Sequence, residues 1–167
     1  MKRFSLFSPV LFLCSLLLMT ACLNQSEDEV NPVISNDVSN ATFWRGANIT
    51  FTKDSGAPPQ LEANQDRITD NVWITRGNGG GEIYNAKLES NSSKGSSPTG
   101  TEWAIGSIDD AATLKFQSFR AAVSSPKSVV GKNLVLHLIE EDIYISVKFT
   151  SWRSGKNGGF AYERSTQ

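Results

Sequence analysis

The sequence predicts an all-β fold, an antiparallel β-sandwich of jelly-roll-like type, and three observations carry that prediction. Two dense β-forming runs, Leu134 to Ile139 and Ile143 to Trp152, flank the acidic turn Glu140-Glu141-Asp142, which reads as a β-hairpin. In the second run Ile143, Ile145, Val147 and Phe149 alternate with Tyr144, Ser146, Lys148, Thr150 and Trp152. That is the period of a strand with one dry face and one wet face. From Ala41 onward, short β-rich runs are punctuated by Gly, Pro, Asn and Ser, a texture that favours a sandwich over an α/β fold.

Before that domain comes a targeting segment, residues 1–21. Lys2 and Arg3 precede a mostly apolar run from Phe4 to Met19. The run is shorter than the ~20 residues needed to span a bilayer, so it reads as a cleaved signal and not as a transmembrane helix. Met19-Thr20-Ala21-Cys22 resembles the lipobox of bacterial lipoproteins, although Met19 stands where Leu is commoner. The resemblance implies cleavage before Cys22, a diacylglyceryl group on its sulfur and an acyl chain on the new N-terminus. Leu23 in place of Asp further implies the outer membrane in a Gram-negative host. An ordinary secretory signal that ends near a cysteine is the alternative. Of the two cysteines, Cys14 leaves with the signal and Cys22 is acylated, so the mature chain keeps no thiol for a disulfide, a metal or a redox couple.

Residues 22–40 read as the lipidated cysteine followed by a flexible tether. The stretch from Leu23 to Asn40 carries Glu27, Asp28, Glu29 and Asp37 but no base, and has little to bury. A chain of that length reaches about 23 Å by random-coil scaling. Acyl methylenes contribute ~0.8 kcal/mol each, which makes attachment lasting once more than one chain is present. The domain proper, residues 41–167, is long enough to bury roughly two-thirds of its chain surface. It holds 14 basic against 13 acidic residues, a net of +1. That balance gives no footprint for nucleic acid or for an anionic lipid surface.

Strands are predicted at 42–44, 47–53, 71–76, 82–86, 102–106, 113–118, 133–139, 143–153 and 159–164. Turn signals break them at Gly56-Ala57-Pro58-Pro59, Gly77-Asn78-Gly79-Gly80-Gly81, Asn91 to Gly100 and Ser124-Ser125-Pro126. One short helix fits at 61–67 or around 110–114. Trp73 and Trp103 read as core anchors, because each ring buries a large area and can place its N–H at a rim.

Several strings also resemble a β-rich module of exported bacterial proteins. They are Asn64-Gln65-Asp66-Arg67-Ile68-Thr69, Val72-Trp73-Ile74-Thr75-Arg76-Gly77, Ile83-Tyr84-Asn85-Ala86 and Ser97-Pro98-Thr99-Gly100-Thr101-Glu102-Trp103-Ala104. The series closes on Asp142 to Trp152 and Gly158-Gly159-Phe160-Ala161-Tyr162-Glu163-Arg164. The likeness runs from about Thr42 to Thr166 and implies an all-β module with no assigned activity or catalytic residues.

The chemistry-bearing residues are few. His137 is the single histidine and shares a strand face with Val135 and Ile139, so it reads as a hydrogen-bonded, partly buried side chain. One histidine and no free thiol argue against a typical zinc site, and no Gly-x-Ser-x-Gly string accompanies it. Gly77 to Glu82 falls short of a phosphate loop because Glu82 stands at the last glycine position. Glu140, Glu141 and Asp142 offer hard oxygens for Ca²⁺ without the spacing of a calcium loop, so the bare prediction is no cofactor. Glu102 beside Trp103 and Glu163 beside Tyr162 are the acids to test for glycoside hydrolysis. Tyr144, Lys148, Trp152 and Arg153 recur on the outward face of the long strand as a candidate sugar-stacking platform, unless a loop such as 91–100 covers it.

The expectation is therefore a lipid-anchored protein of the bacterial envelope displaying a non-enzymatic recognition or adhesion module. Its partners are the membrane, through Cys22, and a polysaccharide or envelope protein. A carboxylate-using envelope enzyme and a purely structural envelope component are the alternatives.

Overall fold

A computed structural model describes residues 35–96 and 98–167. The targeting segment, Cys22 and most of the tether lie outside the described residues. Among the described residues nine strands form two sheets: β1 (Thr42–Trp44), β2 (Ile49–Lys53), β3 (Asp66–Arg67), β4 (Trp73–Arg76), β5 (Ile83–Asn85), β6 (Thr101–Ile105), β7 (Asn133–Leu138), β8 (Ile143–Trp152) and β9 (Phe160–Arg164). The larger sheet runs β2-β9-β8-β7-β6, with β1 added to β8, and the smaller runs β3-β4-β5. The fold is an all-β sandwich with unequal layers.

Local sequence explains the connections. Four consecutive strands, β6 to β9, pair antiparallel in chain order. The β7–β8 turn places Asp142 at φ +50°, a left-handed conformation that Asp tolerates better than bulkier residues. β1 runs parallel to β8, from Thr42 opposite Ile143 to Trp44 opposite Ile145. β9 occupies the same edge of β8 further along, from Val147 to Trp152, so β1 and β9 meet head-on. Gly46 permits the junction: a Cβ there would collide with the carbonyl oxygens of Gln167 and Thr166.

The main core fills the space between the sheets. Leu134, Leu136, Leu138, Ile145, Val147 and Phe149 of the large sheet share one buried cluster with Ile74 and Ile83 of the small sheet, together with Trp103 and Phe119. The sheets are also tied by a buried polar bridge. Arg164 donates from Nε and Nη2 to the two carboxylate oxygens of Asp66, at 2.7 and 2.9 Å, and Tyr162 donates its hydroxyl to Asp66 at 2.6 Å. Removing one partner of such a buried ion pair costs about 3–5 kcal/mol, because the other charge stays in the core unpaired.

Three local readings change. Residues 113–118 are not a strand. A 3₁₀ segment, Ile108–Thr113, is followed by one bridge between Gln117 and Trp103 and a short helix α1, Phe119–Val123. Phe119 and Val123 lie one helical turn apart and both reach the core. Residues 61–67 divide into a 3₁₀ turn, Glu62–Asn64, and β3. The ordered chain also begins before residue 41: Asn36 donates its backbone N–H to Ala112 and its side-chain amide to the carbonyls of Ala111 and Leu114.

Candidate functional site

The outward stripe anticipated on β8 is divided between two faces. Tyr144 is buried, stacked on Phe43 at 5.2 Å and on His137 at 4.3 Å, with Phe116 edge-on at 5.5 Å. What covers it is not the 91–100 loop but the incoming chain, since Val38, Ala41 and Phe43 pack with Leu114 and Phe116 on a second cluster around Val135 and Tyr144. Trp152 leaves the stripe for another reason. A β-bulge between Phe149 and Ser151 shifts the pairing by one residue. Such a shift reverses the face of every side chain beyond it. Trp152 therefore points to the core side, against Phe119, Phe149 and Phe160. Lys148 alone keeps the outward position, beside Glu163 in a shallow cleft with Asn48 and Asn133, while Arg153 is exposed past the strand end. The four side chains share no surface.

His137 is half-buried between two carboxylates. Its Nε2 lies 3.1 Å from Asp142 and its Nδ1 3.7 Å from Glu102. The acids sit on opposite ring nitrogens, so no single ion can reach the histidine and both of them. Among the described residues no three such groups gather as metal ligands. Burial, with the charges of Asp142 and Glu102 nearby, holds the Tyr144 phenol above its ordinary range. Glu163 lies two strands away on β9, opposite Lys148, and faces no partner acid there. Of the turn acids, Glu141 accepts from the Thr69 hydroxyl and the Asn71 amide and ties that turn to the small sheet.

Trp103 is fully buried, with its indole N–H donated to the Thr101 hydroxyl. Trp73 is only half-buried. It stands on the outer face of the small sheet with Arg67 4.2 Å and Lys87 4.8 Å from its ring centroid. Neighbouring cations thus occupy the ring that a sugar would need.

A different constellation forms where β2, β4 and β8 end. Arg76 is buried, yet it meets no carboxylate among the described residues. Its Nε donates to Gly81 and its Nη1 to the carbonyls of Arg153 and Gly159, and its guanidinium lies 4.0 Å over the Trp152 ring. Lys53, equally buried, donates to Asn78 Oδ1 and the Gly158 carbonyl. Asn78 in turn donates to the carbonyls of Gly56 and Ala57. The loops 54–58, 77–82 and 153–159 are thereby locked into one rigid pole. Gly158 makes the closeness feasible: it adopts φ +64°, and a Cβ there would strike Asn78 and the Gly77 carbonyl. Burial lowers the pKa of the Lys53 ammonium, and the charge of Arg76 lowers it further; burial also lowers that of Arg76. Two cations held this way, satisfied only by neutral oxygens, leave positive potential at the pole.

Beside them Arg120 stands 2.9 Å from Glu82, whose carboxylate is buried, but neither Arg120 Nε nor Glu82 Oε2 completes an aligned hydrogen bond. Glu82 Oε1 accepts instead from the Gly95 backbone N–H. Arg76, Arg120, Lys127 and Trp152 line an open cleft of about 230 Å³, closed by Gly81, Ser125 and Gly155. Its rim is strained. Ser124 sits at φ +64°, ψ −48°, and the Ser125 N–H bonds back to the Val123 carbonyl at 2.8 Å. That is a γ-turn of the rare, strained form.

No protein-family model, no curated protein and no solved structure matches this chain.

Sequence reasoning passed over Lys53, Arg76, Arg120 and Lys127. A signal for the first two was present. Phe51 and Lys53 share one parity in β2, and Ile74 and Arg76 share one in β4. Each lysine or arginine therefore stands in the apolar phase of its strand. Arg120 and Lys127 carried no such mark, because their placement depends on α1 and the turn after it.

Proposed function

We propose that this chain is a lipid-anchored protein of the bacterial envelope whose sandwich serves as a recognition module. One structural observation supports the reading above others: three loops are interlocked into a rigid, polar, cation-rich pole at the end of β8 opposite the entry of the chain. Thr42 begins β1 beside Asp142, whereas the loop cluster lies past Trp152, about 30 Å along the strand. Binding sites are commonly built on loops that a rigid scaffold positions. The lipobox ending at Cys22 supports the anchor, and the residue after it supports the outer membrane as destination in a Gram-negative host.

The test is metabolic labelling of the full chain with an alkyne-bearing palmitate analogue in a bacterial host. Wild type takes up label and partitions into detergent, and Cys22→Ser does neither. A wild-type chain without label overturns the anchor.

The arrangement of Glu102, His137 and Asp142 favours a second reading, a polysaccharide-active enzyme working through carboxylates. Release of new reducing ends by wild type and not by Glu102→Gln would replace the first reading.

A further inference from the structure

We propose that the cleft between Arg76, Arg120, Lys127 and Trp152 binds the oxyanion, carboxylate or sulfate, of an acidic polysaccharide. The inference rests on the recognition reading and names the ligand class for it.

The electrostatics set the sign of the ligand. Lys53, Arg76, Arg120, Lys127 and Arg153 converge on this pole, and Lys156 lies on its 153–159 loop. Asp54 and Glu82 are the acids on the same loops. Glu82 neutralises Arg120, and Asp54 lies close enough to favour the charged form of Lys53. Arg76 and Lys127 keep no acidic partner among the described residues. The bonds Arg76 makes use its Nε and Nη1, so the two N–H groups of Nη2 remain for an incoming oxygen. Guanidinium matches an oxyanion in plane and spacing. Its position is fixed in advance by three carbonyls and the Trp152 ring, so little ordering is left to binding.

The surroundings favour a polymer of sugars over a protein. Among the described residues, none of the exposed large apolar side chains (Ile49, Leu61, Leu88, Ile105, Val130 and Ile139) lines the cleft. Ser125 and the backbone of Gly81 and Gly155 offer hydrogen bonds to hydroxyls. A second cleft adjoins across residues 152–155, where Lys53 and Arg153 stand with one acid, Asp54, and with Thr52, Ser55 and Ser151. Two neighbouring clefts in which cations outnumber acids suit anions repeated along one chain.

The experiment measures binding of the full chain in detergent to polygalacturonate, dextran sulfate and neutral dextran, at low and at high salt. The acidic polymers bind, neutral dextran does not, and added salt weakens binding because Lys127 is exposed and Arg120 part-exposed. Lys127→Glu, on an exposed side chain, weakens binding at least tenfold, and Lys127→Arg restores it. Lys148→Glu, on the opposite face of the large sheet, changes it less than twofold. The ratio between polygalacturonate and dextran sulfate tells carboxylate from sulfate. Equal losses in Lys127→Glu and Lys148→Glu, or equal binding of neutral dextran, overturn the cleft but leave the recognition reading standing. Binding by neither acidic polymer, or binding transferred to vesicles of phosphatidylglycerol, overturns the proposal. Labelling at Cys22 is read separately and is indifferent to every one of these results.

Discussion

Tyr162 is fully enclosed, with its hydroxyl on Asp66 and the Arg164 guanidinium beside it. Burial, then the charge and hydrogen bond of Asp66, push this phenol well above its ordinary value. An unfolded tyrosine ionises near pH 10, at about 1.4 kcal/mol per pH unit beyond it. The stability Tyr162 contributes by staying protonated is thus fully present below pH 10 and lost as pH rises toward the folded value. In urea melts between pH 9 and 11, Tyr162→Phe loses about 1.4 kcal/mol less than wild type, and parallel curves for the two proteins would refute this. Arg164 belongs to the same set as Lys53 and Arg76. Burial alone lowers its pKa, but hydrogen bonding and charge from Asp66 outweigh that and hold it above the ordinary value. All three cations stand in the inward phase of their strands, so their burial was legible in alternation. Which partners they meet was not legible, because Asp66 and Asn78 come from distant parts of the chain.

At the scale of elements, β8 decides what can be read ahead. Its alternation was legible from Ile143 to Phe149, and the dry face is dry as expected. The bulge beyond Phe149 was not, since no glycine or other local mark announces it, and it carries Trp152 across the sheet. Deleting Thr150 removes the extra residue and leaves Trp152 two positions after Phe149, so in a regular strand it stays on the core side opposite Phe160. Stability and tryptophan emission are therefore expected to stay near those of wild type. Trp152→Ala instead empties the place and takes from Arg76 its stacking partner, at a cost of about 3 kcal/mol, in the range of large aromatic truncations. Chemical denaturation measures both variants. A large loss with red-shifted emission in the Thr150 deletion would show that the bulge does not set the face of this residue. The short helix α1 was missed for a related reason: Phe119 and Val123 mark a single turn, too brief a pattern to distinguish from a strand.

For the whole molecule, a domain charge near zero conceals separation. Acids gather at the β7–β8 turn where the chain enters, and cations gather at the far loops. Composition gives only their difference, and only the fold reveals where each sign collects. The entry segment itself is part of the structure, laid over Tyr144 and pinned by Asn36. Asn36→Ala removes two side-chain hydrogen bonds, so a loss of about 1–2 kcal/mol follows. Amide hydrogen exchange then quickens at residues 36–44, and unchanged exchange there would show that the segment is held by its apolar contacts alone. The direction of β1 has a further consequence. Because it lies parallel to β8 and starts at the entry side, tension on residue 41 against a load held at the opposite loops pulls β1 lengthwise. The β1–β8 hydrogen bonds are then strained together, as in a lap joint, instead of being peeled apart one after another. A fold arranged so resists traction in the one direction from which a moored and laden domain would feel it.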